Sequence, residues 1–201
     1  METLDVRGTA VDAYVAGSGP LLLFLHAEQL FDQTLPHLEA LSRQWRVVAP
    51  RHPGFGPRPL PEDFRSVDDL AYLYLDLLEQ LEARDAVVVG ASFGAWIALE
   101  MAVRNTSRMG KLVLSGPVGV KLSGREERDF ADLFYLAEGA AFAAVFADPE
   151  RFAPRYGIWN LPPSRHLLAN AKPWRTMPGG RTSTTPASSA GCTVSIFRRW
   201  W

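Results

Sequence analysis

The chain has 201 residues, of which 47% are hydrophobic, enough apolar material for one domain with a sizeable core. All 22 acidic residues lie at or before position 150, whereas eight of the 21 basic residues follow it. Those eight are dispersed rather than clustered in the basic patch typical of nucleic-acid binding, and no apolar stretch approaches the roughly 20 residues of a membrane span. We therefore expect neither a nucleic acid nor a membrane as partner.

Strands and helices alternate in the hydrophobic pattern. It predicts strands at 9–15, 21–25, 46–49, 86–89 and 111–114, and helices at 35–43, 66–81 and 95–103. The helix from 66 begins with a capping box, in which Ser66 is followed three residues later by Asp69. Strands that are apolar throughout and alternate with helices favour a parallel sheet covered on both faces. The predicted fold class is α/β, with an open, mostly parallel sheet and flanking helices.

One motif, Gly90-Ala91-Ser92-Phe93-Gly94, lies between a predicted strand and a predicted helix. A G-x-S-x-G in that context is the signature of a nucleophile elbow. A strand that turns sharply into a helix leaves no room for side chains beside the serine, which explains the two glycines. Ser92 is therefore the predicted catalytic nucleophile, and Gly90 and Gly94 are the predicted elbow glycines.

A serine nucleophile also needs an imidazole to take its proton and a carboxylate to orient that imidazole. In the G-x-S-x-G fold these groups follow in the order Ser, acid, His. No acidic residue follows position 150, and the one histidine after Ser92 is His166, which falls where a lid is expected and is disfavoured as the base. Among the others, His26 is interpreted as a positioning residue, His37 as structural, and His52 as a loop residue that borders a pocket or faces solvent.

These features resemble the α/β-hydrolase family over about residues 8–120. Besides the elbow, segment 24–26 resembles the family's strand end before the oxyanion loop, 48–56 its glycine-rich loop, and 112–114 the strand after the nucleophile helix. The resemblance implies that Ser92 attacks the substrate and that the backbone N–H groups of Phe93 and Ala27 form the oxyanion hole. Ala27 stands where the family commonly has glycine, which restricts the backbone there.

The resemblance also implies an activity: hydrolysis of an ester, or of a C–C bond next to a ketone, in a small apolar substrate. No nucleotide loop, metal cluster or cofactor motif is present in the sequence, so we expect no cofactor. The single Cys192 excludes an intrachain disulfide, and the N-terminal residues lack the features of a signal peptide. The expected location is the cytoplasm.

Three parts are expected along the chain: an α/β-hydrolase core at 1–120, a partial helical lid at 121–171, and an unstructured stretch at 172–201. The last stretch has no acidic residue and no hydrophobic period. We interpret it as a truncated or out-of-frame tail that replaces the family's final strands, acid and histidine, so that the fold is incomplete. A natural flexible tail is the alternative.

This interpretation has two consequences. The chain as written would be an inactive hydrolase, and the alternatives are a catalytically dead ligand-binding protein or a non-functional truncated product. Loss of the final strands would also leave the strand at 111–114 as an exposed sheet edge, which favours self-association.

Overall fold

A computed structural model of the chain describes residues 1–28, 31–120, 124, 126 and 148, together with the backbone of 193–197. Within this part, seven strands form one sheet in the order β1-β2-β4-β3-β5-β6-β7. Strands β1 and β2 are antiparallel to their neighbours, whereas β4, β3, β5, β6 and β7 run parallel. The strands are β1 Glu2–Val6, β2 Thr9–Ala16, β3 Leu21–Leu25, β4 Arg46–Pro50, β5 Ala86–Ala91, β6 Met109–Ser115 and β7 Thr193–Phe197. The predicted open, mostly parallel sheet is confirmed.

Helices cover both faces of this sheet. The described helices are α1 Phe31–Leu41, α2 Val67–Gln80 and α3 Phe93–Arg104. Neighbouring residues of β3 pack on opposite faces, since successive side chains of a strand alternate. Leu22 belongs to the smaller apolar cluster with Leu38 of α1, and Leu23 belongs to the larger cluster that contains residues of α2 and α3. Burial on both faces accounts for the uninterrupted apolar strands.

Helix α2 begins with the predicted cap. One oxygen of the Asp69 carboxylate accepts hydrogen bonds from the backbone N–H groups of Arg65 and Ser66, each at 2.7 Å. These contacts satisfy donors that a helix start leaves without an intrahelical partner. The predicted apolar face of this helix is buried at Leu70, Leu73, Tyr74, Leu77 and Leu78.

The sequence pattern misses strand β1. It joins β2 through a two-residue turn at Arg7 and Gly8, whose φ angles are 48° and 88°. Positive φ at both turn residues is the feature of the tight hairpin turn that matches the twist of antiparallel strands. A glycine flanked by two short strand-like runs was the available signal.

The structure also departs from the expectation that 172–201 is unstructured. Strand β7 pairs in parallel with β6, from Thr193 opposite Lys111 to Phe197 opposite Ser115. Its threonine, valine, isoleucine and phenylalanine all favour extended backbone. Since β6 is paired along its length, the exposed edge on which the expected self-association depended is not found here.

The remaining expectations for the C-terminal part lie outside the described residues. They concern the partial lid at 121–171, apart from its three isolated described residues, and the rest of 172–201. In the described part, no helix combines the length and apolarity needed to cross a bilayer.

Candidate active site

Ser92 lies at the apex of a sharp turn from β5 into α3. Its backbone has φ 49° and ψ −110°, a combination that costs a residue with a side chain about 1–3 kcal/mol and persists only where the surroundings enforce it. Hydrogen bonds at both the N–H and the carbonyl of Ser92 hold this backbone conformation. The Ser92 N–H donates to the Ser115 carbonyl of β6 at 2.9 Å, and the Ser92 carbonyl accepts from the Ala95 N–H at 3.1 Å.

Close backbone contacts explain the two glycines of the motif. A Cβ atom added at Gly94 would lie 2.1 Å from the carbonyl oxygen of Leu25 and 2.6 Å from that of His26. A Cβ atom at Gly90 would lie 2.6 Å from the Cα of Ala95. The turn therefore has room for glycine alone at these positions, and α3 begins directly against the end of β3.

The segment after β3 adjoins the elbow for this reason. It carries Ala27, which is 4% exposed, while Phe93 forms the first residue of α3. The N–H groups of a helix's first turn have no intrahelical acceptor and favour nearby negative charge. The two residues predicted to form an oxyanion hole thus lie on adjoining segments, and their role as donors stays a prediction.

His26 and His52 form a stacked pair beneath this segment, with ring centroids 3.8 Å apart. The His52 backbone N–H donates to Nε2 of His26 at 2.9 Å, so that nitrogen carries no proton and Nδ1 donates to the Ala27 carbonyl at 2.7 Å. His52 in turn donates from Nε2 to the His26 carbonyl at 2.9 Å and accepts from the Tyr74 hydroxyl at Nδ1, at 2.6 Å. All four ring nitrogens therefore have partners that suit neutral imidazoles.

Burial keeps both rings uncharged. It lowers the pKa of His52 to about 3. It also lowers the pKa of His26 well below its usual range, and the neighbouring His52 and Arg51 add to this effect. None of the hydrogen-bond partners of the four ring nitrogens is Ser92, and the role of His26 as a positioning residue stays a prediction. The alternative that His52 faces solvent is wrong, because it is 1% exposed.

The other two histidines offer no base within the described residues. His37 lies on the exposed side of α1, as expected for a surface helix. His166 lies outside the described residues. The proton acceptor that a serine nucleophile requires is therefore not supplied by any histidine of the described part.

Glu28 is the residue that sequence reasoning missed. The Ser92 hydroxyl donates to its Oε1 at 2.8 Å. The residue is exposed, yet protein atoms around the carboxyl raise its pKa by desolvation. Hydrogen bonding from its own backbone N–H, from the Ser92 hydroxyl and from the Phe93 N–H lowers the pKa by less, so it stays raised. The loop N–H in contact with this carboxyl thus belongs to Glu28, one residue beyond the predicted Ala27. The one sequence feature that pointed to Glu28 was its position two residues after His26.

The surroundings of the site are aromatic and locally neutral. The Phe93 ring packs against Phe55, with centroids 5.3 Å apart. Arg51 lies near the histidine pair, and its guanidinium pairs with Asp32 at 2.6 Å and stacks 4.2 Å from the Phe31 ring centroid. Two surface clefts in the described part adjoin Arg51, and Ser92 lines neither of them.

Comparison with known proteins agrees with this geometry. The profile of the alpha/beta hydrolase family matches residues 22–197. A 2-hydroxymuconate semialdehyde hydrolase from Pseudomonas sp. (strain CF600) is 34% identical over 125 residues, which are 58% of this chain and 44% of that protein. A haloalkane dehalogenase from Mesorhizobium japonicum is 31% identical over 111 residues, 53% of this chain and 34% of that protein. The chain thus spans less than half the length of these curated relatives.

A solved structure extends the likeness to the fold. The meta-cleavage product hydrolase from Pseudomonas fluorescens IP01 superposes with a TM-score of 0.66, covering 98% of this chain and 89% of that one at 19% sequence identity. That identity shows a shared fold alone. Since the family profile matches most of the sequence, this chain belongs to the alpha/beta hydrolase family.

Proposed function

We propose that this protein is a serine hydrolase that acts through Ser92 on an ester, or on a C–C bond next to a ketone, of a small apolar substrate. The observation that carries the proposal is the enforced backbone of Ser92 at the β5–α3 turn, with φ 49° and ψ −110°. Such strain is kept where it serves a function. The similarity to a 2-hydroxymuconate semialdehyde hydrolase supports hydrolysis as the reaction class.

The turn sets the geometry for attack on a carbonyl group. The Ser92 oxygen would add to the carbonyl carbon, and the carbonyl oxygen would become negative. The Phe93 N–H, at the start of α3, would donate to that oxygen. A second N–H would come from the loop after β3, and the resemblance predicts that this donor belongs to Ala27. One such donor stabilises the transition state by about 3 kcal/mol.

The step also needs an acceptor for the Ser92 proton. His26 and His52 are unsuited, because their ring nitrogens are bonded elsewhere and burial disfavours the protonated form that a base must adopt. The proposal therefore requires a base from residues outside the described part. His166, the one histidine after Ser92, is disfavoured for this role because it falls where a lid is expected. Without another base the chain would be the inactive hydrolase expected from its sequence.

A ligand-binding protein without turnover is the second candidate. The contact that favours it is the hydrogen bond from Ser92 to Glu28, at 2.8 Å. In the described part this serine meets a carboxyl group, where a hydrolase in its resting state would present an imidazole. A protein of this kind would bind apolar ligands equally well with serine or alanine at position 92.

Labelling with a fluorophosphonate tests the proposal. We expect mass spectrometry to find the phosphonate on Ser92 in the wild-type protein and to find none in Ser92→Ala. Ser107→Ala, which removes an exposed hydroxyl beyond α3, is the matched control and should label like the wild type. An unlabelled wild-type protein that binds an apolar ligand as tightly as Ser92→Ala would overturn the hydrolase proposal in favour of the second candidate.

A further inference from the structure

Three donors of the elbow region converge on the Glu28 carboxyl. The Ser92 hydroxyl donates to Oε1 at 2.8 Å, and the backbone N–H groups of Phe93 and of Glu28 itself face the same carboxyl and lower its pKa. One donor is thus the proposed nucleophile, one is the N–H that follows it, and one belongs to the loop after β3. No sequence motif predicts this arrangement.

These are the groups that would serve a reacting carbonyl oxygen. Donors around an oxyanion hole are directed at the position where negative charge develops. A carboxylate already bears such a charge and binds N–H and O–H donors more strongly than a neutral carbonyl does. The Glu28 carboxyl and a substrate carbonyl therefore compete for the same donors.

We infer that the Glu28 carboxyl fills the oxyanion hole of the free protein, so that a substrate carbonyl or a product carboxylate binds beside Ser92 only after Glu28 has moved away. The inference rests on the proposed function in taking the Phe93 N–H as an oxyanion donor. It makes the chain's own side chain an occupant of the site that the substrate must displace.

Displacement is physically accessible. Glu28 is exposed to solvent, so its long side chain can rotate outward into water. Desolvation opposes the charged form in the bound position, and water would relieve that effect once the carboxyl swings outward. The strength of the contacts with these three donors then sets the fraction of free protein in which the oxyanion hole is unoccupied.

The same contacts argue against Glu28 as the base of the reaction. A base has to remain on the Ser92 hydroxyl while the substrate oxygen occupies the hole. The Glu28 carboxyl engages both the hydroxyl and the Phe93 N–H, so it blocks the position that the substrate oxygen needs.

Acetate is the probe for this inference, because a small carboxylate can replace the Glu28 carboxyl. We expect Glu28→Ala to bind acetate about ten-fold more tightly than the wild type, because the substitution removes the Glu28 carboxyl that competes for the same donors. The binding should shift the amide resonance of Phe93 in the NMR spectrum. Glu62→Ala, which removes an exposed loop carboxylate, is the matched control and should behave like the wild type.

Two results would overturn the inference. Equal acetate affinity of the wild type and Glu28→Ala would show that the hole is open in the free protein, and a Phe93 amide unmoved by acetate in Glu28→Ala would show that the donors form no such hole. Glu28→Gln keeps the side-chain size and serves if the alanine variant does not fold; it should show a smaller gain in the same direction. Acetate binding needs no turnover, so its outcome is separate from that of the labelling experiment.

Discussion

Acid should destabilise this protein through the stacked pair of His26 and His52. The His26 Nε2 accepts from the His52 N–H, so a proton placed on that nitrogen would face a donor. Burial holds the pKa of His52 at about 3, against about 6.5 in an unfolded chain. Between these values the unfolded state binds more protons than the folded state, and the free energy of unfolding therefore falls as the pH falls.

The expected loss is large. At pH 5, roughly 1.5 units below the unfolded-state pKa, His52 alone removes about 2 kcal/mol at 1.36 kcal/mol per unit. His26, whose pKa is also held well below its usual range, adds to this loss in the same direction. The His52 contribution alone is a considerable part of the 5–15 kcal/mol by which domains are stable. Above pH 7 both imidazoles are neutral in either state, and this contribution no longer changes.

Urea unfolding followed by tryptophan fluorescence measures this effect at pH 7.5, 6 and 5. His52→Asn has no titrating ring at position 52, so we expect it to be less stable at pH 7.5 and to lose about 2 kcal/mol less stability than the wild type between pH 7.5 and 5. His37→Gln removes an exposed histidine of α1 and is the control for the substitution of a histidine as such. A wild-type free energy of unfolding that stays constant between pH 7 and 5, or a wild-type slope retained in His52→Asn, would refute the reasoning.

Three further predictions concern the backbone at the Ser92 turn and at the start of α2. Gly94→Ala should lower the free energy of unfolding by about 1–3 kcal/mol in urea, because its Cβ would lie 2.1 Å from the Leu25 carbonyl oxygen; unchanged stability would contradict the close contact. Ser92→Gly should be more stable than Ser92→Ala by about 1 kcal/mol, since glycine relieves the positive φ, and equal melting temperatures would count against strain. Asp69→Ala should lose about 1 kcal/mol through its cap, whereas exposed Asp63→Ala should lose little in the same assay; equal losses would argue against the cap.

The predicted elements succeed where side-chain patterning alone selects the local structure. The apolar runs of β3 and β5 have lengths typical of buried strands, and the cap and periodicity of α2 determine where that helix begins and which face it buries. The elbow was also predictable, because the steric demand for Gly90 and Gly94 is local to a strand-to-helix turn. Strand β1 was missed because a short exposed edge strand has little apolar pattern, and β7 because its pairing with β6 is distant in the chain.

The contacts within the site could not be predicted in this way, because they depend on which strands are neighbours in the sheet. Glu28 and Ser92 are 64 residues apart, and their side chains meet because β3 and β5 are neighbours in the sheet. His26 and His52 stack because β3 also pairs with β4. Neither pair has a sequence signature, since the spacing along the chain reflects the length of the intervening helices and loops.

The amino-acid sequence by itself thus determined the fold class, strands β2 to β6, the three described helices and the serine at the sharpest turn, because each of these depends on neighbouring residues. Only the tertiary structure decided which groups surround that serine. The strand order brings the carboxyl ends of β3, β4 and β5 to one edge, and burial there sets the neutral state of the histidines and the contact with Glu28.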